Sequence, residues 1–328
     1  MPENMQFFGG TLRTSSLKFF VCIFLAAGAS LFAQNQTPSS PQTQTVSSPQ
    51  AQTTSSPQNQ VQLDSPKGIT GFESIQGTIN SDSRVYKLDS NLGWDFNKHF
   101  GIFAGLPVYF ASVPSSTATN GTTTTTTAST TNSGIGNVYL GFILRAPNPK
   151  LDYASAVTAS APTGSVSKGF STGRASVDWT NRFEHDFDRL TPFFEGGLSN
   201  TVPDSAFFAR PFTSLGAVSH LEEGAEYQLV KHLYAGGSGY QIVPFGNQKV
   251  FSKLDGKGKG KNPFDNATVS SGSDLTRENG FNTWVAIEPT SIVRLELGYT
   301  RSMTFDLSSF AFNLRMNVGK MLRSKRNY

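Results

Sequence analysis

The side chains that could do chemistry are few. There are four histidines, His99, His185, His220 and His232, and one cysteine, Cys22. Ser219 and His220 are sequence neighbours. On a strand they point to opposite faces, so they cannot act as a nucleophile and its base. The His-x-Ser arrangement of lipid-cleaving barrels is missing. His220 and Glu222 share a face, but two ligands are too few for a metal site. The stretch Lys257-Gly258-Lys259-Gly260-Lys261 looks like a phosphate loop and fails as one. Asn262 stands where Ser or Thr is needed, and Asp255 where the first glycine should be. No catalytic, cofactor-binding or metal-binding residues are therefore expected.

What remains is a set of charges with strand spacing. Arg174, Asp178, Arg182, Glu184 and Asp186 share one parity in a single run. Lys87, Asp89 and Asp95 do so in another, Glu222 and Glu226 in a third, and Arg294, Glu296 and Arg315 lie near the end. Same-face neighbours on a strand are roughly 6.6–7 Å apart, so mixed signs favour cross-strand ion pairs. Such a set either stiffens a narrow lumen or lines a permeation path. A second group, Lys249, Lys253, Lys257, Lys259 and Lys261, fits an outer loop that touches lipopolysaccharide phosphates.

These charges need a scaffold. The chain has 328 residues, 27 Phe, 31 Gly, 15% charged residues and a net charge of +4. That balance gives no concentrated basic face for nucleic acid. Arg13 and Lys18 precede the uncharged run Phe19 to Ala33, which has the length of a signal h-region and is short for a membrane helix. Residues 1–33 are expected to be a cleaved signal peptide carrying Cys22 away, leaving a mature chain without disulfides. Residues 34–66 repeat Ser-Ser-Pro-Gln with a period of eight and have almost nothing to bury, as expected of a disordered periplasmic tether.

From residue 67 to 328 the texture is that of strands. Alternating runs cover 68–79, 84–97, 99–112, 134–146, 150–162, 174–187, 190–203, 214–229, 232–245, 276–287, 291–302 and 307–321. The last puts Phe310, Phe312, Leu314 and Met316 opposite Ser309, Ala311, Asn313 and Arg315. Short links alternate with longer ones, and aromatics gather at strand ends. Twelve strands, alternating loop lengths and aromatic girdles predict an all-β fold: a transmembrane antiparallel up-and-down β-barrel. Glu223, Asn181 and Glu195 fall on the apolar parity and misfit.

The run Gly134-Ile135-Gly136-Asn137-Val138-Tyr139-Leu140-Gly141 resembles the G-x-G-D-x-x-L-G strand opening of the barrels named for the meta-pathway of phenol degradation. Ala161-Pro162-Thr163-Gly164 resembles that family's next landmark, P-T-G-D. Asn137 and Ser165 stand where the family often has Asp. The resemblance, over 68–321, implies an outer-membrane barrel of a family labelled as transporters of small organic compounds. Outer-membrane barrels usually close on an aromatic last strand; here terminal Tyr328 follows a basic tail instead.

The function expected is passive passage of small solutes through the lumen, without cofactor or energy coupling. The alternatives are a structural or surface-interaction barrel with a blocked lumen, and a lipid-modifying barrel enzyme. The expected partners are the lipid bilayer, lipopolysaccharide, the outer-membrane assembly machinery and the solutes.

Overall fold

The computed structural model describes residues 67–324, except 82, 121–122, 149, 206 and 255–268. The expected signal peptide and tether, Lys257, Lys259, Lys261 and Tyr328 lie outside the described residues.

The strands in chain order are β1 (Gly68–Ile79), β2 (Arg84–Asp95), β3 (Phe100–Val113), β4 (Ser116–Asn120), β5 (Thr123–Thr127), β6 (Thr130–Ile135), β7 (Tyr139–Ala146) and β8 (Asp152–Ser160). There follow β9 (Ser176–Glu184), β10 (Leu190–Ser199), β11 (Phe212–Val230), β12 (Leu233–Ser252), β13 (Val269–Gly272), β14 (Glu278–Thr290), β15 (Val293–Ser302) and β16 (Leu307–Asn317). Antiparallel pairing runs β11-β10-β9-β8-β7-β3-β2-β1-β16-β15-β14-β12, and β12 returns to β11. The ring is a closed barrel of twelve strands, so it leaves no edge to aggregate. β4 and β5 make a separate hairpin inside the threonine-rich connection.

The barrel is inverted relative to a soluble protein. On β2, Lys87 and Asp89 are buried while Leu88, Leu92 and Trp94 are exposed. On β16, Ser309 is buried and Phe310 is 68% exposed. Period-2 alternation turns one set inward and the other outward on every strand. An oily exterior around a polar interior is stable only where lipid, not water, surrounds the ring.

Several expected spans change. Arg174 and Asp186 fall outside β9 and are exposed, because the strand stops at Glu184. The run 134–146 is broken at 136–138 into β6 and β7, both paired with β3. β11 and β12 are far longer than expected, with 19 and 20 residues. The final run stops at Asn317, whose Oδ1 accepts from the backbone N of Lys320 and caps the helix α1 (Val318–Ser324).

The connections at one end are short: 96–99, 147–151, 185–189, 231–232 and 291–292. His232 has φ 70 in its two-residue turn. Histidine is one of the few side chains that adopts this conformation readily, so turn geometry accounts for it there. The other end carries the longer connections, which in barrels of this type face outward from the cell.

Candidate functional site in the barrel lumen

The connection 200–211, between β10 and β11, folds inward. Its root is fixed where the hydroxyl of Thr201 donates to Ser214 O (2.7 Å) and Val202 N donates to the Ser214 hydroxyl (2.7 Å). It then reaches the far wall. Gln76 on β1 donates from Nε2 to Ser205 O (2.6 Å), and Ala209 N donates to the Thr78 hydroxyl (2.9 Å). β1 lies six pairings from β10 one way round the ring and five from β11 the other way, so the segment crosses the lumen. The residues explain the path. Phe207, Phe208 and Ala209 are 5%, 1% and 0% exposed, and an outward loop would leave them in water.

Asp204 anchors the crossing. It accepts from the Tyr109 hydroxyl (2.6 Å) and the Arg210 backbone N (3.0 Å), and pairs with Lys87 at 3.2 Å. Lys253 stands 4.0 Å away, donates to Arg210 O (3.0 Å) and lies over the Tyr109 ring. Burial would raise the Asp204 carboxyl, but Lys253 and Lys87 outweigh it and hold it well below the usual carboxylate range. Burial pulls the Lys253 ammonium down to about 8 against the pull of Asp204. This corrects the expectation that Lys253 sits in an outer loop facing lipopolysaccharide. It is buried with its ammonium in this hub, because the chain turns inward after β12. Lys249 is exposed.

Beneath the hub lies an aromatic layer. Phe207 stacks on Trp284 with centroids 5.0 Å apart, and Phe193 sits 6.4 Å from the same indole. Trp284 pairs in register with Gly236 on β12 and Gly298 on β15. A Cβ at Gly298 would lie 2.6 Å from the Phe207 ring. A Gly298→Val barrel should therefore lose the stacking without touching an ion pair, seen as a red shift of tryptophan emission; an unchanged spectrum would refute the packing. Phe193 also explains Glu195. β10 turns its odd residues inward, so Glu195 is a lumen residue, 3% exposed, and not a misfit on the lipid face. Asn181 and Glu223 do stay on the outer parity, where Asn181 Oδ1 accepts from the Tyr153 hydroxyl (2.8 Å).

Most of the predicted charges meet inside. Arg294 reaches Glu226 (2.5 Å), Glu288 (2.7 Å) and Glu296 (2.6 Å). Arg182 reaches Glu184 (2.7 Å) and Glu195 (3.4 Å) and covers the Phe193 ring. Glu222 accepts from the Ser238 hydroxyl (2.5 Å) and Asn282 Nδ2 (3.3 Å). Lys87 pairs with Asp89 (3.2 Å), and Asp95 with Arg145 (2.9 Å). Arg315 lies over Phe72. His220 Nε2 bonds Asp178 Oδ1 (3.0 Å), with Ser219 on the opposite face. Sequence pattern does not single out Asp204, Arg210 or Arg145, which the structure places among these charges. The signal that could have found the first two is Asp-Ser-Ala-Phe-Phe-Ala-Arg over 204–210, an apolar core between opposite charges that suits no solvated loop.

The two glycine motifs bind each other. Val138 N donates to the Thr163 hydroxyl (2.8 Å), that hydroxyl donates to Gly136 O (3.2 Å), and Gly164 N donates to Asn137 Oδ1 (3.3 Å). Asn137 thus supplies the same acceptor an Asp would. The staple directs the connection 161–175 so that Phe170 stacks on Tyr109 at 6.0 Å. Between this connection, the root of the crossing segment and the wall of β3, β7, β8 and β9 lies a cavity of about 90 Å³. Among the described residues no three His, Cys, Asp or Glu side chains gather to hold a metal ion.

The family model described as "Putative MetA-pathway of phenol degradation" matches residues 42–191, which include both glycine motifs but stop short of the 68–321 expected. Among curated proteins none matches the sequence. An outer membrane channel from Pseudomonas putida F1 is similar in structure: 10% identity, TM-score 0.49, covering 77% of this chain and 96% of that one. The KdgM porin gives 6% identity and a TM-score of 0.41 over 75% of this chain and 98% of its own. The outer membrane protein Omp33 of Acinetobacter baumannii gives 7% and 0.35 over 76% and 97%. The family model spans both glycine motifs that the staple joins, and the closed ring of twelve antiparallel strands makes the chain a transmembrane β-barrel.

Proposed function

We propose that the barrel is a passive outer-membrane channel for small solutes, small organic compounds among them, narrowed by the segment 200–211. The observation that carries this reading is the set of charged groups on the inner wall, Lys87 with Asp204 and Arg294 with its three glutamates, which cost burial energy that a merely structural barrel could avoid with apolar filling. Twelve strands stand between the number that side chains fill and the number that leaves an open channel. The crossing segment decides how much of that width is usable. Export by residues 1–33, a tether over 34–66 and lipopolysaccharide contacts through the loop after Lys249 belong to the same proposal.

Conductance of the refolded chain in planar bilayers tests it. Small, ohmic single-channel steps are expected. A folded, heat-modifiable barrel that stays silent would instead favour the blocked-lumen reading, for which the near-complete burial of Phe208, Ala209 and Arg210 speaks.

A further inference from the structure

The off-axis cavity holds chemistry that the charge network leaves unused. Thr158 on β8 and Asp178 on β9 are direct cross-strand partners, both turned inward, and both line it. Partners of this kind have Cβ atoms about 4.5–5.5 Å apart. Asp178 accepts from the Thr180 hydroxyl (2.7 Å) and from His220 Nε2 (3.0 Å), which leaves about two of its four acceptor positions open. Its residue is 9% exposed, and among the described residues the only basic side chain bonded to it is His220. Thr158 is 4% exposed, and its hydroxyl has no hydrogen-bond partner among the described residues. A buried hydroxyl and a buried carboxylate with spare acceptors, side by side, are costly unless something donates to both.

The rest of the lining narrows the donor. Tyr109, Tyr139, Phe170 and Phe212 give apolar walls. The Tyr139 hydroxyl is committed to Asp89 (2.8 Å). Asp204 and Lys253 also border the cavity, but they face each other and Arg210 O in the hub, so they add no net charge. A cavity of about 90 Å³ holds about three waters, or one small amine.

We propose that this cavity is a binding subsite for small primary alkylammonium ions, with Asp178 and Thr158 accepting N–H donors and the aromatic rings packing the alkyl group. The inference rests on the channel reading for the solute's route, and names a solute class for it. The test is calorimetric titration of the refolded full barrel in detergent with ethylammonium at pH 8. Saturable binding is expected, weakened at least tenfold in Asp178→Asn and several-fold in Thr158→Val. Acetate, of similar size and opposite charge, should not bind. No saturable heat from folded wild-type barrel, equal affinity in Asp178→Asn, or acetate binding in its place would overturn the proposal. If Asp178→Asn does not fold, Thr158→Val decides alone, since it removes only a hydroxyl. Binding is read without voltage. A silent barrel that binds ethylammonium sinks only the channel, and a conducting barrel that does not bind sinks only the subsite.

Discussion

An Asp204→Ala barrel is expected to conduct in single-channel steps several-fold larger than the wild-type barrel. The substitution removes the one carboxylate that Lys87, Lys253, Tyr109 and the Arg210 backbone share. Lys87 keeps Asp89 as a partner at 3.2 Å. Among the described residues Lys253 keeps only a carbonyl and a ring, and is left as a buried cation without a counter-ion there. Breaking a buried pair from one side costs about 3–5 kcal/mol, which shifts a closed-to-open ratio by roughly two orders of magnitude or more. Opposing release are Phe207 and Phe208, whose burial is worth about 1.5–3 kcal/mol each. The two terms are comparable, so the segment should exchange between inner and outer positions instead of leaving altogether. Large steps alternating with small ones are the expected record. Chymotrypsin supplies a second reading, because cleavage after Phe208 requires that this buried residue reach solvent. Wild-type step sizes together with an uncut Phe208 would mean that apolar packing alone holds the segment.

Arg294→Ala should produce the largest loss of stability among the lumen substitutions. One guanidinium serves Glu226, Glu288 and Glu296 from three neighbouring strands, β11, β14 and β15, with β12 between the first two. Its planar fork presents donors in several directions at once, which an ammonium cannot do. Without it three carboxylates repel one another in a region of low dielectric. Among the described residues Glu296, 2% exposed, keeps only the Asn313 amide (2.9 Å), and Glu226 only the Trp284 indole N–H (2.8 Å). A loss of about 3–5 kcal/mol is expected, read as a lower urea midpoint for unfolding from lipid vesicles at neutral pH. Arg294→Lys should recover only part of it. An unchanged midpoint in Arg294→Ala would show that water already screens these carboxylates and that the cluster is part of a wet path.

Much of this molecule is visible in its residues. Strict alternation in the runs that form β2, β9, β15 and β16 sets which side chains face lipid and which face the lumen, because a strand has only two faces and a bilayer accepts only one kind. Closure of the ring follows from the same physics, since an open edge cannot be satisfied in lipid. The lumen positions of Asp178, Arg182, Glu222, Glu226, Arg294 and Glu296 are therefore legible in the alternation itself. Glu195 is different. It lies in the lumen, against its apparent parity, because Phe193 turns inward to meet Trp284, a contact between residues ninety-one positions apart that no local pattern encodes.

Tertiary structure alone decided the rest. Strand ends put Arg174 and Asp186 outside the lumen wall, because a strand stops where its partner stops offering hydrogen bonds. The segment 200–211 turned inward, and with it Asp204 and Arg210 became the centre of the site. Its sequence states that two phenylalanines need burial. It does not state where, and the apolar surface that Phe207 meets is an indole on β14, two pairings from β11. Alternation is local and repeats every two residues, so sequence by itself determined the wall. The lumen is filled by side chains from opposite walls and a folded-back connection, and their meeting depends on the closed ring existing first.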